Sequence, residues 1–279
     1  MSWVEALFSG ILQGVTEFLP VSSSGHLVIY ATLLGEEGQA NLAFTVFLHL
    51  ATLLSVIIVF YQDILLLIRE VFIAIIDLVT RRNRYVTPER RMLIMIIIAT
   101  IPAGLVGVLI KLTAKESVLE NIFVVGAMLL LNAVFMFSAD RFDSGRYNES
   151  SAPYKSSLLV GIMQALAVLP GLSRSGSTIL GGLVGGFTKE FAVRFAFVLS
   201  IPAILGAGLL ELSDVFKNGQ LTVEPVSWTV GFVAALVSGV MAISFIKLLA
   251  ASNKFYIFGF YSLLASAFAF LVGFGIISF

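Results

Sequence analysis

Two apolar helical runs in this chain break at matching places and in a matching way. The first break lies in QGVTEFLPVSSSGH, Gln13 to His26; the second lies in QALAVLPGLSRSGS, Gln164 to Ser177. At an offset of 151 residues (13 to 164), Gln13 falls on Gln164, Ser22 on Ser173, Ser23 on Arg174, Ser24 on Ser175 and Gly25 on Gly176. Each copy reads as a helix, a proline, a Ser/Gly turn and a second helix. Proline removes a helical hydrogen bond and clashes with the preceding turn, so each helix must end there.

What the breaks mean depends on the solvent around them. Hydrophobic residues make up 58% of the 279 residues and charged ones 12%, with a mean hydropathy of +1.01. Several apolar runs reach the length needed to cross a bilayer, about 20 residues. The alternation required of a membrane β-barrel is absent. The fold class is therefore an all-α polytopic membrane protein. A net charge of zero suggests no nucleic-acid partner. Without cysteine, disulfides and thiolate chemistry are excluded. The first residues, MSWVEALFSG, lack a basic region and a cleavage site and read as mature sequence.

In such a chain Gly25 to Leu34 is too short to return across the membrane, and Trp3 to Leu34 reads as a re-entrant hairpin. Ser157 to Gly186 is its counterpart. Irregular backbone at membrane depth must be shielded by protein or line a wet cavity. Full spans are predicted at Leu42–Phe60, Met92–Ile110, Ile122–Ser138, Phe191–Leu210, Trp228–Ile246 and Tyr256–Phe274. Gly35 to Gly38 reads as a surface turn. Ile64 to Val79, apolar at helical spacing beside Asp63, Arg69, Glu70 and Asp77, reads as a helix lying on the membrane surface. The whole chain is one integral-membrane domain of about ten helical segments. Its pseudo-repeats are 1–138 and 155–279, joined by a cytoplasmic linker, 139–154.

Three spans separate equivalent points of the two copies. An odd number inverts the second copy, so the two hairpin tips can meet near the midplane. Basic residues crowd one side: Arg69, Arg81, Arg82, Arg84, Arg90, Arg91, Arg141, Arg146, Lys155, Lys189, Arg194, Lys247 and Lys254. Lys111, Lys115 and Lys217 fall on the other. The positive-inside rule makes the loop 61–91 cytoplasmic and both termini external, in a multi-pass plasma-membrane protein.

Ionisable residues inside apolar segments cost several kcal/mol and mark functional sites. Glu17, His26 and Arg174 are such residues. A bare Glu17–Arg174 ion pair would account for the two charges but not for the serines and glycines around them. Ser22, Ser24 and Gly25, with Ser173, Ser175 and Gly176, sit between a proline and a helix start. Hydroxyls, free N–H groups and the positive helix pole there favour an anion, and Arg174 adds a forked donor suited to phosphate. The competing reading is that each serine simply caps its helix. Gln13 and Glu17 share a helix face and can offer oxygens to Mg2+ or Ca2+ if a substrate supplies phosphate oxygens as well. His26 follows the serine turn as a candidate nucleophile or acid/base. His49 reads as a hydrogen-bonded structural residue.

The segments QGVTEFLPVSSSGH and PGLSRSG resemble the two signature regions of the undecaprenyl-diphosphatase family, the bacitracin-resistance-type lipid pyrophosphatases. The resemblance covers essentially the whole chain. It implies hydrolysis of undecaprenyl diphosphate to the monophosphate and phosphate, recycling the carrier lipid for cell-wall polymers and giving bacitracin resistance. It also implies dependence on a divalent cation, a site opening to the outer face, and Glu17, Ser23, His26 and Arg174 as the catalytic set, with Gln13 in support. The family often has Glu where this chain has Gln13. Partners would be a polyprenyl diphosphate and membrane lipids; a homodimer is left open, as is the attacking group (His26, Ser23 or water). An inverted-repeat transporter or flippase for a lipid phosphate is the alternative, because it too would use two broken helices.

Overall fold

The computed structural model describes residues 1–34, 42–81, 85–113, 121–142, 145–218 and 224–277. Eleven helices account for nearly all of them: α1 Trp3–Phe18, α2 Ser23–Leu34, α3 Leu42–Val59, α4 Tyr61–Thr80, α5 Pro88–Thr113, α6 Ile122–Ala139, α7 Tyr154–Leu166, α8 Arg174–Val184, α9 Lys189–Asn218, α10 Pro225–Ala251 and α11 Tyr256–Gly273. Among the described residues there is no β-strand, only one bridge between Tyr147 and Phe187. The expected surface turn at Gly35–Gly38 lies outside the described residues.

Among the described residues five helices are long and apolar enough to cross a membrane, or six spans if α3 and α4 count as one broken span. Those two meet at an angle of 89°. α3 carries no Asp, Glu, Lys or Arg, whereas α4 carries Glu70 and Asp77 on one face, and both are buried against Arg90 of α5 at 2.5 and 2.7 Å. The bend therefore separates a span from an amphipathic helix, as the charge pattern of 61–80 predicts. The result is a multi-pass all-α membrane protein.

Both helical breaks fall where the prolines put them. α1 ends at Phe18, before Pro20, and α2 starts at Ser23; α7 ends at Leu166, before Pro170, and α8 starts at Arg174. The hairpins are held by helices of the opposite half. α1 packs on α10 and α7 on α5; α2 touches α11 and α8 touches α6. α3 against α9 and α6 against α11 complete an exchange in which each contact has a counterpart. A phenylalanine-rich core, with Phe18 edge-on to Phe197 at 5.7 Å and Phe187 against Phe191 and Phe195, closes one end. This exchange brings the two hairpin tips together in the middle of the bundle.

Candidate active site

The tips interlock through their smallest residues. A Cβ on Gly25 would lie 3.0 Å from the Gly171 Cα, and one on Gly176 would lie 3.1 Å from the Pro20 Cβ. Position 20 corresponds to position 171 and position 25 to position 176, so the two contacts are mates. Tip one turns through Ser22, a non-glycine residue at φ 69°, and tip two through Gly171 at φ 97°. Left-handed backbone at a bulky residue is costly and persists where the surroundings impose it.

The serines repeat one bonding scheme. The Ser22 Oγ accepts from the Gly25 N–H at 3.2 Å and lies 3.3 Å from the Ser24 Oγ. The Ser173 Oγ accepts from the Gly176 N–H at 3.2 Å and lies 3.1 Å from the Ser175 Oγ. Ser22 and Ser173 thus cap α2 and α8, while the capped helices direct their positive poles at the same space. Capping and anion binding are compatible here, since each cap oxygen occupies only one of the free N–H groups.

Asn132 of α6, wholly buried, ties the tips to each other. Its Nδ2 donates to the Pro20 carbonyl at 2.8 Å and to the Ser262 Oγ at 2.9 Å, and its Oδ1 accepts from the Ser173 N–H at 3.2 Å. One side chain therefore sets the register of both breaks.

Between the tips lies a cavity of about 510 Å³. Glu17, Ser22, Ser23, Ser24, Ser173, Arg174 and Gln164 line it, with His49, Thr16 and Thr100. Glu17 is its centre. Arg174 forms a salt bridge to Oε1; Oε2 accepts from the Gln13 Nε2 at 3.1 Å and from the Ser23 Oγ at 3.4 Å, and the His49 Nε2 stands 3.8 Å away. A carboxylate only 7% exposed is thus compensated by one cation and two neutral donors.

The structure brings Gln13, Glu17, Ser23 and Arg174 together as the sequence predicts. It places His26 differently. The His26 Nδ1–H donates to the Ser22 carbonyl at 2.7 Å, and its Nε2 pairs with the Tyr261 hydroxyl at 2.6 Å, the rings stacked at 5.6 Å. His26 does not line the cavity; it fastens the serine turn to α11. His49, read from sequence as structural, does line it.

Sequence reasoning passed over Asn132 and Gln164. Gln164 carried a signal, because it is the repeat mate of Gln13. Its amide is buried (3% exposed) and faces the cavity, and neither Nε2 nor Oε1 has a hydrogen-bond partner among the described residues. Asn132 carried none beyond being a polar residue in an apolar span.

Comparisons with known proteins agree with the motifs. A family model described as bacitracin resistance protein BacA matches residues 6–268. A curated relative from Methanobrevibacter smithii, called undecaprenyl-diphosphatase, is 42% identical over 94% of this chain and 94% of its own length. Proteins of the same name from Methanosphaera stadtmanae (38% identical; 92% of this chain, 93% of that one) and Parabacteroides distasonis (39% identical; 95% and 96%) are similar throughout.

Proposed function

The chain belongs to the bacitracin resistance protein BacA family, and from that membership we infer that it is an undecaprenyl-diphosphatase. It hydrolyses undecaprenyl diphosphate to the monophosphate and inorganic phosphate, recycling the carrier lipid for cell-wall polymers. The observation that carries this reading is the pairing of Glu17 with Arg174 beside two facing serine turns. The relatives bear the name of a diphosphatase, and nothing in them supports the alternative of a lipid-phosphate transporter.

The residues divide the work by their chemistry. Arg174 and the N-termini of α2 and α8 bind phosphate oxygens and neutralise the charge that grows on them during anhydride cleavage. Ser23 is the hydroxyl nearest the Glu17 carboxylate. Its Oγ attacks the terminal phosphorus, its proton passes to Glu17, and the bond from that phosphorus to the bridging oxygen breaks. The lipid monophosphate leaves, and water then frees phosphate from the serine. His26 is a positioning residue: through the Ser22 carbonyl it sets the turn that presents Ser23. Beyond the polar end, the cavity continues between α5 and α9. There a Cβ on Gly104, Gly107, Gly206 or Gly208 would meet no atom within 4 Å. That slot suits the first isoprene units of a polyprenyl tail.

A divalent cation, Mg2+ or Ca2+, fits this donor set only when substrate completes it. Among the described residues no three His, Cys, Asp or Glu side chains gather to hold a metal, and Glu17 is the only carboxylate lining the cavity. Glu17 and Gln13 would hold the ion together with diphosphate oxygens, and it would neutralise charge on the diphosphate. The basic side of the molecule supports a plasma-membrane placement with loop 61–91 cytoplasmic and both termini outside.

The reading is tested by phosphate release from a polyprenyl diphosphate in detergent, where no gradient exists. Wild type is expected to release phosphate with Mg2+ or Ca2+ and to stop with EDTA. Ser23→Ala is expected to lose about 10³-fold or more, in line with loss of a nucleophile, and wild type quenched in acid should carry an acid-stable label on serine. Full activity of Ser23→Ala, or release indifferent to EDTA, would overturn those two assignments.

Gln164 is assigned to the substrate as well, its Nε2–H donating to a diphosphate oxygen. A buried amide without a partner costs about 1–3 kcal/mol, so Gln164→Leu should raise the melting temperature while raising KM about tenfold. An unchanged KM would remove Gln164 from the site.

A further inference from the structure

The linker between α6 and α7 folds back over the open end of the second hairpin. The Arg146 and Tyr147 N–H groups both donate to the Gly186 carbonyl, at 2.9 and 3.0 Å, and the Ser156 Oγ donates to the Gly185 carbonyl at 2.7 Å. These bonds wall a groove of about 550 Å³, distinct from the catalytic cavity. Arg141, Arg146 and Lys155 stand on its rim, and among the described residues no acidic one lines it.

The contrast with other arginines on the same side is informative. Arg90 is paired with Glu70 and Asp77, and Arg194 with Asp63 at 2.9 Å and Glu149 at 3.5 Å. The three groove cations have no carboxylate within ion-pair distance among the described residues. The positive-inside rule accounts for the side on which they lie but not for their convergence on one groove. The N-terminus of α7 begins in the groove and adds its positive pole. Next to the cations the wall turns apolar through Leu159 and Leu183, and Phe142 and Val184 stay exposed at 39% and 47%.

We propose that this groove binds the phosphate headgroup of an anionic phospholipid, with the acyl chains lying over Phe142 and Val184. A basic pocket beside exposed apolar side chains at the cytoplasmic surface suits both parts of such a molecule. The headgroup bridges the linker to the base of the hairpin whose tip carries Arg174, and so braces that hairpin from outside the catalytic cavity. The proposal does not depend on the hydrolytic reading.

The test is native mass spectrometry of the delipidated full chain with phosphatidylglycerol, with phosphatidylcholine, or with phosphatidylglycerol plus inorganic phosphate. Wild type should retain one phosphatidylglycerol at least about tenfold more tightly than phosphatidylcholine, given about 1 kcal/mol per cation near an anionic headgroup. The variant Arg141→Ala/Arg146→Ala/Lys155→Ala should lose that preference. Arg69→Ala/Arg81→Ala/Lys254→Ala, which removes equal charge elsewhere on the same side, should keep it, and so should Arg174→Ala. If the groove variant fails to fold by circular dichroism, Lys155→Glu alone takes its place. Equal retention of the two lipids, equal loss in both triple variants, or loss in Arg174→Ala would overturn the proposal. Displacement by equimolar inorganic phosphate would make the groove a free-phosphate site and overturn it as a lipid site.

Discussion

Arg174→Ala is expected to lower phosphate release by about 10²–10³-fold, the usual consequence of removing a donor that meets developing transition-state charge. The same change leaves Glu17 buried with the Gln13 and Ser23 donors and with His49 3.8 Å away. Breaking a buried pair costs about 3–5 kcal/mol, so the melting temperature should fall as well. The two effects separate in Glu17→Gln/Arg174→Ala. That variant carries no buried charge at this place and should recover most of the stability while remaining inactive. Arg174→Lys keeps the charge but loses the fork, and its activity should lie between wild type and Arg174→Ala. Phosphate release and thermal unfolding, measured on the same four proteins, decide the matter. A folded, active Arg174→Ala would remove the pair from the mechanism. Recovery of activity in the double variant would make the pair structural alone.

Asn132→Leu is expected to be among the most destabilising single substitutions outside the catalytic pair. Leucine has the branched outline of asparagine, with bulkier methyl groups, but leaves the Pro20 carbonyl and the Ser173 N–H without their partner. Each buried group stripped of its hydrogen bond costs about 1–3 kcal/mol, which places the loss from the two at about 2–6 kcal/mol. Activity should fall too, because the two breaks lose the side chain that registers them. Ser262→Ala removes one of the three Asn132 bonds without touching either tip and should cost about 1 kcal/mol. A melting temperature for Asn132→Leu within a degree of wild type would show that the tips hold their register by packing alone, through Gly25 on Gly171 and Gly176 on Pro20.

His26 and His49 show how far a linear reading reaches. In sequence His26 looks the better placed, four residues beyond Ser22, while His49 is a lone histidine in a long apolar run. In the structure the His26 ring is engaged by the Ser22 carbonyl and Tyr261, and His49 faces Glu17. The outcome depends on α11, which supplies Tyr261 from 235 positions away, and on how α3 rolls against α9. A helix that is apolar all round has no face of its own preference, so only its neighbours determine which side looks inward.

Local physics made much of this protein readable in advance. A proline followed by a Ser/Gly turn ends a helix, whereas Pro102 and Pro202, without such a turn, lie inside α5 and α9; both hairpins, and the spans between them, could therefore be located to within a few residues. Burying an unpaired charge in an apolar segment is costly, so Glu17 and Arg174 had to find each other or a ligand. The arithmetic of the repeat made Ser22 the mate of Ser173 and Gly25 the mate of Gly176. What the tertiary structure alone decided were the contacts without a local rule. These are the exchange of hairpins between halves, the stitching of both tips by Asn132, the turning of His26 away from the cavity and of the Gln164 amide into it, and the gathering of Arg141, Arg146 and Lys155 around one groove. Each depends on the rotation of a helix about its own axis, which in a chain so uniformly apolar is set by the shape of what packs against it and not by its own sequence of side chains.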